Sequence, residues 1–157
     1  MGVTAFMKNQ KETRVLVIDG QGGSIGRQLV KMICEDLPQV SLTAVGTNSI
    51  ATANMLKGGA VNAATGENAV VVGARNADVI VGPIGLVIAD ALLGEVTPVM
   101  AAAVGQSAAV RILLPLGRCD TLIAGVASPS TTALLADAME KLRALVRGEQ
   151  SHTGTND

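Results

Sequence analysis

Aromatic residues are almost missing from this 157-residue chain, which has one Phe, no Tyr and no Trp. Its hydrophobic 48% must therefore build a core from Ala, Val, Leu, Ile and Met. Without tyrosine, the Tyr-x-x-x-Lys acid/base pair of short-chain reductases is excluded. The single histidine, His152, stands in a polar C-terminal stretch, so acid/base work would fall to Asp, Glu, Lys or Cys. That shortage favours binding over turnover.

An excess of charge of either sign is missing too. Twelve scattered basic residues face thirteen acidic ones, a net charge of −1, which leaves no footprint for nucleic acid or an anionic membrane. The two cysteines, Cys34 and Cys119, are too far apart for a disulfide framework or a zinc pattern, and a reduced, cytoplasmic setting is expected. No apolar run approaches the roughly 18 residues of a membrane span. Residues 1–13 have no apolar h-region or small-residue cleavage site, so no signal peptide is expected. The length suits one domain over 14–147, with 1–13 and 148–157 as flexible ends.

What is abundant is glycine, 18 residues of it. The chain is organised around 14–26, Arg-Val-Leu-Val-Ile-Asp-Gly-Gln-Gly-Gly-Ser-Ile-Gly. The β-branched run 15–18 predicts a parallel strand buried on both faces. A glycine-dense turn follows, then a helix over 24–35 with Ile25, Leu29, Met32 and Ile33 on one face. Pro38 is punctuation. A strand over 41–45 leads to Gly46-Thr47-Asn48, where Thr47 or Asn48 caps a helix over 49–57 that ends at Gly58-Gly59. A brief strand over 60–63 and a helix from Thr65 as N-cap to Asn76 come next. Then follow a strand over 78–81, Gly82-Pro83-Ile84-Gly85, and an apolar run from Leu86 to Leu93 that suggests a helix buried on more than one side. A helix over 98–104 starts at Pro98. Strands over 110–114 and 122–126 flank the loop Pro115-Leu116-Gly117-Arg118-Cys119, and an amphipathic helix over 130–147 closes the domain. The expected fold is α/β, a Rossmann-like doubly wound, mainly parallel sheet of five or six strands with helices on both faces.

Such a sheet places its ligand crevice outside the carboxyl ends of the strands, where strand order reverses. The expected rim brings Gly20, Gln21, Gly22, Gly23, Ser24, Ile25 and Gly26 to face Gly82, Pro83 and Ile84, with Thr47 and Asn48 on one flank and the loop from Pro115 to Cys119 on the other. Backbone amides at a helix N-terminus can hold phosphate there. The glycine templates are incompletely met: G-x-G-x-x-G puts Ile25 at its third place, and G-x-x-x-G-x-G puts Ser24 between Gly20 and Gly26. A phosphate cradle and a tight turn that only permits helix–sheet packing both stand.

The acid expected about 20 residues beyond the loop, which would hold an adenosine ribose, is missing. Thr47 and Asn48 occupy that place, either to contact a ribose or 2′-phosphate or as a helix cap. Asp19 either caps its own loop or holds Mg²⁺. Cys119 beside Arg118 is a thiolate candidate or a packing residue. Glu67, with Asn68, faces a ligand or complements a helix dipole. Cys34 is structural.

The runs Val-Ile-Asp-Gly-Gln-Gly-Gly-Ser-Ile-Gly (17–26), Gly-Thr-Asn-Ser-Ile-Ala-Thr-Ala (46–53), Ala-Thr-Gly-Glu-Asn-Ala (64–69), Gly-Pro-Ile-Gly (82–85) and Pro-Leu-Gly-Arg-Cys (115–119) together resemble a family of small bacterial proteins of unknown function with a Rossmann-like pattern. The resemblance covers about 15–126, with Ser24 where a glycine is usual. It implies the fold and brings no activity. The expected function is a nucleotide- or dinucleotide-binding module, NAD(P) foremost, acting as a sensor or accessory subunit. The alternatives are a small oxidoreductase or Mg²⁺-dependent phosphate-handling enzyme using Asp19, and a homo-oligomeric interaction protein pairing through the run from Leu86 to Leu93.

Overall fold

The computed structural model describes residues 12–116, 120–126 and 130–148. Five parallel strands, β1 (Arg14–Asp19), β2 (Ser41–Gly46), β3 (Asn62–Thr65), β4 (Val79–Pro83) and β5 (Val110–Leu114), form one sheet in the order β3-β2-β1-β4-β5. Helices α1 (Ser24–Asp36), α2 (Ser49–Gly58), α3 (Glu67–Asn76), α4 (Pro98–Gln106) and α5 (Thr131–Val146) connect or follow them. The order reverses at β1, which pairs with β2 on one side and β4 on the other. The crevice position of a doubly wound sheet therefore lies above Asp19.

β1 shows why the chain folds this way. Val15, Leu16, Val17 and Ile18 are all buried because the pleat sends alternate side chains to opposite faces and both faces are covered. Val15 and Val17 join Leu29, Val30 and Ile33 of α1, Met55 of α2, and Leu135, Ala138, Met139 and Leu142 of α5. Leu16 and Ile18 join Val70 and Ala74 of α3 and Met100, Ala101 and Val104 of α4. Each large aliphatic side chain so buried is worth about 1.5–3 kcal/mol, and among the described residues both cores are aliphatic.

Most of the expected elements stand within a residue or two of their sequence positions. The brief third strand exists, shifted to Asn62–Thr65, and α3 is preceded by Gly66 at its N-cap, without a side-chain cap, instead of Thr65. Two expectations are corrected. The stretch 122–126 is not a sixth strand: the described residues there are irregular, with Leu122 almost fully exposed. A parallel neighbour for β5 needs a crossover of about a dozen residues or more, and only 115–121 separate the two. The run from Leu86 to Leu93 is not a helix. It opens with a 3₁₀ turn, Ile84–Val87, and continues as a tight loop. Leu86 and Ala91 are buried in the domain's own core, while Leu93 is exposed. Asp90, Leu92 and Leu93 have φ of 67°, 55° and 56°, left-handed values that no α-helix contains. Of the expected flexible ends, 1–13 and 148–157, residues 1–11 and 149–157, His152 among them, lie outside the described residues, as do the loop residues Gly117, Arg118 and Cys119.

Candidate functional site

The loop between β1 and α1 is held from beneath by Asp19, whose side chain is buried. Its Oδ1 accepts the Gly20 amide at 2.8 Å and its Oδ2 the Gly26 amide at 2.7 Å. Both amides point into the protein and need an acceptor there. Burial pushes the Asp19 carboxyl above the usual range, the two amides pull it back, and the nearby Glu95 charge adds to the rise. With an amide on each oxygen, Asp19 is the cap of its own loop. Among the described residues no group of three or more His, Cys, Asp and Glu side chains is arranged to hold a metal.

The lip of the same loop is occupied by a residue from the far side of the sheet. Glu95, from the β4–α4 connection, reaches across so that its Oε1 accepts the Gln21 amide at 2.9 Å, the Thr47 hydroxyl at 2.9 Å and the Asn48 side-chain amide. No described residue donates to Oε2. Partial burial alone would raise the Glu95 pKa. The donors from Asn48, Gln21 and Thr47 outweigh burial and hold the carboxyl below its usual value, as a carboxylate. The connection is tied down again where the Thr97 hydroxyl donates to Glu67 Oε2 at 2.6 Å while its oxygen caps α4 at the Met100 amide.

The glycines divide into two kinds. At Gly20 a Cβ would lie 2.6 Å from Thr47 Oγ1 and 2.8 Å from Leu92 Cδ1, and at Gly23, with φ 72°, it would lie 2.6 Å from the Ala51 Cα of α2. These positions need glycine so that neighbouring elements can approach. Gly22 is different: it is exposed, and a Cβ there would meet no atom within 4 Å.

α2, α4 and α5 begin under the side chains of Asn48, Thr97 and Ser130. α1 begins behind Gly23, which has no side chain to cap it. The Gly23 amide donates to the Gly20 carbonyl and the Gly26 amide to Asp19, and the bond from the Arg27 amide to the Gly23 carbonyl follows them. The amides of Gly22, Ser24 and Ile25 find no acceptor among the described residues.

Of the residues expected at the rim, Gly20, Gln21, Thr47 and Asn48 therefore converge around Glu95, and Gly22, Ser24 and Ile25 form an open edge. Gly23 and Gly26 face inward. Gly82 and Pro83 are buried in β4, Gly82 tight against the Ile18 carbonyl and beneath Leu86, and Ile84 starts the 3₁₀ turn. These three belong to the floor, not the open edge. Asn48 is the cap of α2, its Oδ1 accepting the Ala51 amide at 2.9 Å. Glu67 and Asn68 are exposed at the start of α3. Glu95 is the residue that sequence reasoning missed. No local pattern marked it, because it meets the loop across 74 positions of sequence.

A groove of about 600 Å³ between β5 and α5, walled by Ile112, Leu114, Leu134, Ala138 and Leu145, is largely aliphatic and lies apart from these loops. We place the site at the rim, where polar groups converge, in preference to the roomier groove. No helix among the described residues is long and apolar enough to cross a membrane.

A family model described as Domain of unknown function (DUF3842) matches residues 14–147. The chain belongs to this family. The match spans every strand and helix described above and assigns no activity to any residue. No curated protein and no solved structure matches the chain.

Proposed function

We propose that the protein is a nucleotide-binding module, a cytoplasmic sensor or accessory subunit, that seats a phosphate on the amides of Gly22, Ser24 and Ile25. One observation carries this reading: at the sheet's switch point the residue before α1 has no capping side chain, and the amides of Gly22, Ser24 and Ile25 lack acceptors among the described residues, while that of Gly23 donates to the Gly20 carbonyl and those of Gln21 and Gly26 are taken by Glu95 and Asp19. Three amides at a positive helix end suit an anion. The clear space beside Gly22 lets it approach.

The carboxylates that flank this edge set a limit on the ligand. Asp19 is screened by its two amides, whereas Glu95 keeps its charge at the lip. The phosphate must therefore sit towards Ser24 and Ile25, away from Gln21. Asp19 is buried with an amide of its own loop on each oxygen, which favours binding without turnover over the Asp19-dependent enzyme.

The test is a thermal-shift panel of NAD, NADP, FAD, ATP and GTP, with and without Mg²⁺, on the wild type and on Gly22→Ala. A ligand at 100 times its Kd adds about 2.7 kcal/mol of stability. The expected result is a shift with at least one nucleotide, lost in Gly22→Ala. No shift with any of them would overturn the reading.

A further inference from the structure

Resting on the nucleotide reading of this rim, we infer that Glu95 is the residue that reads the ligand's sugar, and that it makes the site select a ribose with a free 2′-hydroxyl over one carrying a 2′-phosphate. In doubly wound dinucleotide sites the ribose lies over the end of β2, where an acid accepts its hydroxyls, and an arginine replaces the acid when a 2′-phosphate must be held. Here the end of β2 offers Thr47 and Asn48 in place of that acid. The two side chains clasp the Glu95 carboxylate and fix it beside their own position. The acid has been supplied from the β4–α4 connection instead of from β2.

The geometry of the clasp gives the carboxylate a direction. Oε1 is saturated by the Gln21 amide, the Thr47 hydroxyl and the Asn48 amide. Oε2 is left as the acceptor for a donor that none of the described residues provides. A ribose hydroxyl meets that need. A 2′-phosphate brings about 1.5–2 negative charges and no donor, against a carboxylate that its three donors keep ionised. No ion pair among the described residues involves Glu95, so its negative charge is not offset there.

Glu95→Gln is a near-isosteric test. Its carbonyl oxygen can still accept from Gln21, Thr47 and Asn48, while the free oxygen becomes an NH₂ donor without charge. Titration of wild type and Glu95→Gln with NAD and NADP by calorimetry, with thermal melts to confirm folding, reads the effect. The wild type is expected to bind NAD at least about tenfold more tightly than NADP, and Glu95→Gln to close that gap, chiefly by gaining affinity for NADP. In the wild type alone, raising the salt should narrow the gap, since the repulsion is between partly exposed charges. Wild-type affinities within twofold of each other, or a ratio unmoved by Glu95→Gln and by salt, would overturn the inference and leave the nucleotide reading standing. Failure of both dinucleotides to bind the wild type at all would overturn both.

Discussion

Asp19 and Glu95 hold the same glycine loop from its two sides, and they are opposite in every respect that matters. Asp19 lies beneath it, buried, with one amide on each oxygen; Glu95 lies at the lip, half-buried, with three donors on one oxygen and none on the other. Burial dominates at Asp19 and raises its pKa, while hydrogen bonding prevails at Glu95 and lowers it. The comparison separates two roles within one loop: a buried carboxylate with a loop amide on each oxygen supports the fold, and on the proposed reading the one at the lip, with an oxygen that no described residue engages, is the one placed to meet a ligand.

The sharpest way to break this distinction is Asp19→Ala. It leaves the buried Gly20 and Gly26 amides without acceptors and should cost about 3 kcal/mol, a fall of about 6–12 °C in Tm for a domain of this size. A loss below 1 kcal/mol in urea unfolding would mean that Asp19 is not the structural partner of the pair.

Leu93→Gly probes the loop that delivers Glu95. Leu93 is exposed, so the substitution sacrifices no buried contact, and it relieves a left-handed φ of 56°. A gain of about 1 kcal/mol is expected, with the Glu95 contacts unchanged. Destabilisation would show that Leu93 is covered in solution, for instance by a second copy, which light scattering would reveal.

The opposite pKa shifts predict opposite acid responses. Asp19 has a folded pKa above its unfolded value of 3.8, so its contribution is complete below 3.8 and is lost as pH rises through the folded pKa. Glu95 has a folded pKa below its unfolded value of 4.5, so its contribution is complete above 4.5 and is lost as pH falls through the folded pKa. In melts between about pH 3 and pH 7, Glu95→Gln should therefore flatten the acid limb below 4.5, and Asp19→Asn the limb above 3.8. Identical profiles for the two variants would erase the contrast.

The smallest expected effect on stability is at Gly22. Gly22→Ala should change folding by no more than about 0.5 kcal/mol, because its Cβ would stand in open space. A methyl group there obstructs the ligand, so binding should fall by about tenfold or more. Lost stability without lost binding would mark Gly22 as another packing glycine, like Gly20 and Gly23.

The fold was largely legible because local pattern and tertiary structure agree. The apolar run at 15–18 is a central strand, Pro98 and Ser130 mark helix starts, and the period of Leu135, Ala138, Met139 and Leu142 is the buried face of α5. Two stretches misled for a shared reason: they are apolar without being regular. The run from Leu86 to Leu93 cannot be told from a buried helix by periodicity. Its conformation is set by a bond across the loop itself, from the Asp90 amide to the Val96 carbonyl, and by a contact distant in sequence, Glu95 anchored on Gln21. Leu122 and Val126 have strand-like chemistry, but the connection from β5 is too short to place them beside it in parallel.

The site was half legible for the same reason. The glycine loop and the self-capping role of Asp19 follow from nearby residues, whereas Glu95 reaches the loop through a turn that includes left-handed Leu92 and Leu93, which no propensity favours.

The most direct measurement is amide NMR of the ¹⁵N-labelled protein titrated with NAD. The account predicts saturable shifts concentrated at Gly22, Ser24 and Ile25, with smaller ones at Gln21, Thr47 and Glu95, and little change at Gly20 and Gly26, whose amides Asp19 already holds. Shifts confined to the groove between β5 and α5, or saturation with the α1 amides unmoved, would contradict it.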